Sequence, residues 1–319
     1  MGEKRTEKEE NEFVSKVEEL APTEEVYFEP TPGFGQWAKF FPEAAKAHPA
    51  KANLNLINFL ILEYTKPGDV ILDPMAGTYS TCVLAVLNGR HGIGVELEEK
   101  FYKWGLEAKK IVESSPTVVP KGKMVVLQGD ARKLSEILKQ VDFDAIITSP
   151  PYTNCAFENP NVIELQKKGW VHGGDISKFF QNPISEDNLE NLPFGNLKSS
   201  DEEYKMITRN QTKEDNRKKE ERETYLEAML KIYGEMFKIL RHGGRAIIIV
   251  RPFVRGKRPI DLPYHTWLLL QKVGFRLEKL YKLRLKNQSF WRILYYKRHP
   301  DAPRICHEYI LICRKPSMP

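Results

Sequence analysis

The sequence predicts an α/β doubly wound domain, a mostly parallel sheet with helices on both faces. Three observations carry that prediction. Short apolar, β-branched runs bounded by turn residues recur at 69–74 (DVILDP), 92–97 (GIGVEL), 123–130 (KMVVLQGD), 143–151 (FDAIITSPP) and 245–251 (RAIIIVR). Stretches of helical composition alternate with them: STCVLAVLNG, EKFYKWGLEAKKIVES and ARKLSEILKQ. The strand runs are apolar almost throughout, as parallel strands buried on both faces must be.

Taken in order, residues 1–30 carry ten acids against four bases and read as an acidic arm, mobile or loosely helical. A Pro/Gly-rich loop, FEPTPGFGQWAKFFPE, follows, then a helix from about 53 to 64 that KPGD ends. The alternating strands and helices complete a first half at 31–151. Residues 152–223 break the pattern: rich in Asn, Asp, Lys and Glu, they are too long for an ordinary connection and read as an insert that recognises a target. Alternation resumes at 224–319, with a helix over about 224–240, a stop at Gly243 and Gly244, a helix over 262–273, and strands at 275–285 and 307–315.

Composition narrows the classes of function. A 319-residue chain with 41% hydrophobic and 29% charged residues can bury a core. Four cysteines, Cys82, Cys155, Cys306 and Cys313, form no CxxC pair, which argues against a disulfide framework or zinc ribbon and for a reducing cytoplasm. His172 and His307 have no partners at metal-ligand spacing, so no metal is assigned. The longest apolar run, 54–62, is well short of the ~20 residues that span a bilayer, so no membrane partner is expected. Gly2 and Thr6 fit a loose myristoylation pattern that often occurs by chance. Residues 251–315 carry sixteen Lys/Arg against four Asp/Glu, interleaved with Tyr281, Phe290, Trp291, Tyr295 and Tyr296. Such a segment suits a polyanion with stackable bases, the alternative being a lysine-rich solvated surface. The candidate nucleic-acid contacts are Arg255, Lys257, Arg258, Arg284, Lys286, Trp291, Arg292 and Arg298.

Chemistry concentrates at the strand ends. LDPMAGTYST (72–81) puts Asp73, Pro74, Ala76, Gly77 and Thr78 between a strand and a helix N-terminus, a place for a nucleotide-like ligand or simply a tight turn. Glu96 lies about twenty residues beyond that turn, an offset from which a carboxylate can accept ribose hydroxyls. Asp130, followed by Ala131, ends the third strand, where it can read an adenine amine or cap the next helix. TSPPY (148–152) ends the fourth strand. Its prolines fix the backbone, so the Ser149 hydroxyl and the Pro150 carbonyl become rigid acceptors, with Pro151 and the flat face of Tyr152 beside them. His48, in HPAK, faces the same cleft or is structural.

DPMAGTYST followed by SPPY resembles the amino-methyltransferases that act on exocyclic nitrogens of nucleic acid, whose paired signatures are DPFxGSGTT and [DNS]PP[YF]. HPAK and the terminal HEYILICRK are also similar to segments of that family, and the resemblance covers about 46–152 and 224–315. It implies a Rossmann-like class I methyltransferase fold, a seven-stranded mostly parallel sheet with an antiparallel last strand, and S-adenosylmethionine as cofactor. Asp73 and Gly77 would hold its methionine portion, Glu96 the ribose and Asp130 the adenine amine. Ser149, Pro150, Pro151 and Tyr152 would form the target pocket. SPPY is commonly associated with cytosine N4 and DPPY with adenine N6, which favours cytosine here. One departure stands out: Tyr79 replaces the second glycine of GSGTT, so its side chain must turn away from the ligand or cover it. An insert smaller than typical DNA target-recognition domains and without a recognisable DNA-binding motif, together with the basic aromatic C-terminal segment, slightly favours a structured RNA such as ribosomal RNA. A DNA modification methylase and a catalytically silent nucleic-acid-binding protein are the alternatives.

Overall fold

The computed structural model describes residues 12–48, 51–116, 120–139, 141–151, 225–255, 258–286 and 296–317. The insert at 152–223, including Tyr152 and Cys155, lies outside the described residues, as do Lys257, Trp291, Arg292 and the side chain of Arg255.

The strands are β1 (Thr23–Val26), β2 (Val70–Asp73), β3 (His91–Glu96), β4 (Met124–Gln128), β5 (Phe143–Thr148), β6 (Leu240–Val250), β7 (Phe253–Arg255), β8 (Arg258–Ile260), β9 (Arg276–Arg284) and β10 (His307–Arg314). The helices are α1 (Leu54–Tyr64), α2 (Ser80–Leu87), α3 (Glu99–Ser114), α4 (Leu134–Ile137), α5 (Tyr225–Ile239) and α6 (Leu262–Val273). Eight strands form one sheet in the order β1-β9-β10-β6-β5-β2-β3-β4, and β7 with β8 makes a separate hairpin. Strands β4, β3, β2, β5 and β6 are parallel, and β10 runs antiparallel to both its neighbours. The α/β fold with an antiparallel last strand is therefore present. The expected count of seven strands is not, because the chain adds β1 at the β9 edge.

Alternate residues of each central strand feed different cores. On β6, Ala246, Ile248 and Val250 pack with α5 and α6, while Ile247 and Ile249 pack with α1 and α2. Leu72 and Ile71 divide in the same way on β2, as do Leu311 and Ile310 on β10. Both faces are apolar, so the strands read as continuous hydrophobic runs rather than as alternation. Local chemistry sets the helix ends. The Asn53 side chain caps α1 by accepting from the Asn55 N–H, and Asp261 caps α6 by accepting from the Tyr264 N–H. Gly274, at φ 116°, ends α6 in the left-handed conformation that glycine tolerates.

The expectation of a mobile or loosely helical acidic arm fails for residues 12–29. Ser15 Oγ donates to Asp261 Oδ1 (2.5 Å) and the Lys16 N–H to Asp261 Oδ2 (2.8 Å), so one carboxylate holds both α6 and the N-terminal segment. Val17 is fully buried, and Tyr309 donates to Glu18 Oε1 (2.6 Å). Strand β1 then pairs with β9, Thr23 opposite Leu280 through Val26 opposite Leu283. The two charge excesses of the sequence meet there. Lys282 pairs with Glu18 (3.1 Å), Lys279 with Glu24 (2.5 Å), Arg284 with Glu25 (3.5 Å) and Lys286 with Glu29 (2.8 Å). A basic edge strand that would repel a second copy is closed instead by an acidic strand of its own chain.

Tyr79 resolves the departure in the glycine loop. Its backbone is left-handed (φ 61°), a strained conformation for a non-glycine residue, costing about 1–2 kcal/mol. The ring is fully buried and turned under the loop. Gly94 on β3 and Gly105 on α3 make room for it, since a Cβ on either would overlap the ring. Burial of the aromatic ring offsets the backbone strain.

Two outcomes follow from this packing. Replacing both Glu24 and Glu25 by Lys lowers the melting temperature by about 2–5 °C in dilute buffer, because exposed pairs contribute at most about 1 kcal/mol each. Thermal scans at about 0.5 M salt shrink that difference through screening. Gly105→Ala destabilises by about 1–3 kcal/mol in urea unfolding. In a Tyr79→Ala background, itself destabilised by loss of the buried ring, Gly105→Ala costs less, because the two residues compete for one space.

Candidate active site

The sheet's order reverses between β2 and β5: the chain winds outward through β3 and β4 on one side, and through β6 on the other. In an open α/β sheet, the crevice beyond the carboxyl ends of the strands at such a point is where ligands bind. Ile71 pairs with Ala145 and Leu72 with Ile146, so Asp73 and Thr148 end adjacent strands at about the same level. The glycine loop leaves β2 there, and Ser149 and Pro150 leave β5 beside it. Ser149 is half-buried, Pro150 buried and Pro151 exposed.

Asp73 is buried at the end of β2. Its Oδ1 accepts the Met75 N–H (3.3 Å), and the hydroxyls of Thr148 and Thr81 lie against it. The Thr148 hydroxyl is fully enclosed and closes no well-formed hydrogen bond there. Burial pushes the Asp73 carboxyl up to about 6, against the pull of Thr148, Thr81 and the Met75 N–H. Glu96, buried at the end of β3, accepts the Gly77 N–H at Oε2 (2.7 Å) and the Glu98 N–H at Oε1 (2.9 Å). It too is pushed up to about 6, chiefly by burial and partly by the negative charge of Asp73, against the two N–H bonds. The carboxylate expected to meet a ribose thus also ties down the glycine loop.

Gly77 has φ +50°, and a Cβ there would sit 3.4 Å from His48 Nε2. His48 therefore lies against the glycine loop, its ring also beside Phe101 (centroids 4.5 Å apart). Pro74, Ala76 and Thr78 are buried, and the Thr78 hydroxyl shares a 2.7 Å hydrogen bond with Ser80. At the end of β4, Asp130 accepts the Arg132 N–H (2.9 Å) and caps the turn that begins with the buried Ala131. Its carboxylate is also held by the Arg132 guanidinium. Both readings of Asp130 now meet in one place: it is a helix cap, and it stands on the edge beside Glu96, since the Gly129 N–H donates to the Glu96 carbonyl (3.0 Å).

The donor set fits a cationic nucleoside. Two carboxylates are buried within electrostatic reach of each other, and their strongest neighbours are hydroxyls, backbone N–H groups and each other, not lysine or arginine. A sulfonium with an attached ammonium would supply the missing positive charge, and the Glu96–Gly77 tether keeps a backbone surface open to it.

The structure separates the proposed nucleic-acid contacts. Arg255 and Arg258 belong to the β7–β8 hairpin, which leaves the carboxyl end of β6, next to β5. Arg258 and Arg298 are exposed. Arg284 and Lys286 are engaged by Glu25 and Glu29, which holds the Lys286 ammonium well above its usual range. Sequence reasoning passed over Thr81, Thr148 and Arg132. Thr148 stands directly before SPP and Arg132 two residues after Asp130, so adjacency to named motifs was the available signal.

A family model described as DNA methylase, of the N6/N4 methyltransferase type, matches residues 2–110. The chain is 34% identical over 68 residues to the DNA adenine methyltransferase YhdJ of Escherichia coli, covering 21% of this chain and 23% of that protein. It is 42% identical over 59 residues to the type II methyltransferase M.HinfI of Haemophilus influenzae, covering 18% and 16%. These matches span under a third of the curated relatives' length. Among solved structures, TrmN from Thermus thermophilus aligns with a TM-score of 0.45 at 13% identity, covering 88% of this chain and 52% of that one. Over residues 2–110, about a third of its length, this chain is similar to the N6/N4 methylases.

Proposed function

We propose that the protein transfers a methyl group from S-adenosylmethionine to the exocyclic amine of a base in DNA. The observation that carries this reading is the pairing of the glycine loop with the Ser149–Pro150 turn on adjacent strand ends at the reversal of the sheet. DNA replaces the RNA favoured by the sequence for two reasons. The matching family is described as DNA methylase and one relative is named a DNA adenine methyltransferase, and part of the basic aromatic segment is engaged by the chain's own acids. Cytosine N4 remains the proposed target, on the serine of SPPY.

Asp73, Gly77, Glu96 and the His48 side of the loop would hold the cofactor, which supplies a methyl group made electrophilic by a positively charged sulfur. The work of the protein is to prepare the amine. An exocyclic amine conjugated into its ring is a weak nucleophile. The Ser149 hydroxyl oxygen and the Pro150 carbonyl would accept its two N–H bonds, favour a pyramidal nitrogen, and stabilise positive charge as it develops there. Pro151 fixes the backbone that aims both acceptors. A duplex base must leave the stack to reach them, at a cost of a few kcal/mol. Arg255, Lys257, Arg258 and Arg298 are the proposed grips on the strand, with Arg258 on the hairpin nearest the turn. The silent-binder alternative rested on obstruction by Tyr79, and a ring turned under the loop leaves it without that support.

Incubation with labelled cofactor puts label into genomic DNA and not into ribosomal RNA, and nucleoside mass spectrometry finds N4-methylcytosine. Label in RNA alone, or in neither, refutes the proposal. Ser149→Ala lowers turnover about 10²–10³-fold with cofactor affinity retained. The two raised carboxyls also set a pH dependence. Each holds its proton more tightly folded than unfolded, so its contribution to stability is full below about 4 and is lost as pH rises through about 6. Cofactor binding has the opposite sign, because a cation needs both groups ionised. In calorimetric titration, affinity rises as pH climbs through about 6 and levels above about 7. Asp73→Asn weakens binding and flattens that rise.

A further inference from the structure

We propose that Arg132 is a movable latch on the base end of the cofactor site, one that must let go of Asp130 before the amine of a bound adenine can be read. The inference rests on the function proposed above and concerns a residue that neither the motifs nor the comparisons single out.

The argument is one of acceptor capacity. An ionised carboxylate offers about four lone-pair sites. Asp130 Oδ1 accepts the Arg132 backbone N–H (2.9 Å) and Nε (3.0 Å), and Oδ2 accepts Nε (2.9 Å) and Nη2 (2.5 Å). The single Nε hydrogen is shared between the two oxygens, so three N–H groups of a residue two positions away engage both oxygens of the carboxylate best placed to accept an adenine amine, one strand beyond Glu96. The side chains are only partly buried, at 20% for Asp130 and 26% for Arg132, so a ligand can reach the pair and the pair can open. The backbone bond that caps the turn survives such opening, because it uses the main chain of Arg132 and not its guanidinium. Cap and latch are separable parts of one residue.

A structural ion pair and a latch differ in what removing the guanidinium does. A structural pair props up the site, so its loss weakens every ligand. A latch competes with the amine for one carboxylate, so its loss strengthens ligands that carry the amine and spares those that do not. The probes are S-adenosylhomocysteine and S-inosylhomocysteine, whose base has a carbonyl oxygen in place of the amine, titrated calorimetrically into the full chain at about pH 7.5.

In Arg132→Gln, affinity for the adenosyl ligand rises about three- to tenfold while that for the inosyl ligand is unchanged or falls. Arg132→Lys, which keeps the charge but loses the two-point grip, gives a smaller gain of the same kind and guards against misfolding of the first variant. In an Asp130→Asn background, which lacks the carboxylate, the Arg132 substitution changes neither affinity. Equal weakening of both ligands, or no change in their ratio, overturns the latch while leaving the proposed function standing. If the unaltered protein binds neither ligand, the cofactor reading fails and the latch fails with it.

Discussion

Asp73 and Glu96 end adjacent parallel strands, and the sheet that places both carboxylates also buries most of their surface. That enforced closeness governs the carboxyl edge. A carboxylate in a poorly solvated place prefers to be neutral, and a second one nearby strengthens the preference. Left alone, the pair works against the folded state near neutral pH. The arrangement gains something only when a positive group arrives, and a sulfonium is such a group. On the proposed function, stability surrendered at this edge would be recovered on binding, a trade common where a site must discriminate by charge.

The main chain makes the trade specific. Glu96 holds the N–H of Gly77, so the loop that would cradle a nucleoside and the acid that would meet its sugar form one unit. His48 arrives from the segment before α1 and rests against the same loop. The loop, β3 and the segment before α1 thus converge on one glycine, whose positive φ disfavours a side chain.

The sequence made much of this visible, and the reason is local. Strand ends, glycine turns and prolines act over a few residues, so β2 through β6 and the acids that end three of those strands could be placed from composition and spacing. Pairings that depend on distant partners were not visible. The acids of 12–29 looked like a solvated arm because nothing near them in sequence tells them to pair, yet Glu24, Glu25 and Glu29 face Lys279, Arg284 and Lys286 across β1 and β9. Charge of opposite sign at the two ends was the signal. All of it was read as attraction to an outside polyanion, whereas Lys279, Lys282, Arg284 and Lys286 have internal partners. Tyr79 is a similar case: a motif predicts a glycine, and only the vacancies at Gly94 and Gly105 explain how a tyrosine fits there instead.

Pairing of residues 23–26 with 280–283 carries a cost in time as well as a gain in stability. The first strand of the sheet has no neighbour until more than two hundred and fifty further residues have left the ribosome, while β2 and β3 meet after a short helix. Loop-closure entropy makes such distant pairing slow. A nascent chain therefore assembles its central strands first and keeps an unpaired, negatively charged strand in reserve. That charge holds the waiting segment apart from its own kind until the complementary edge emerges.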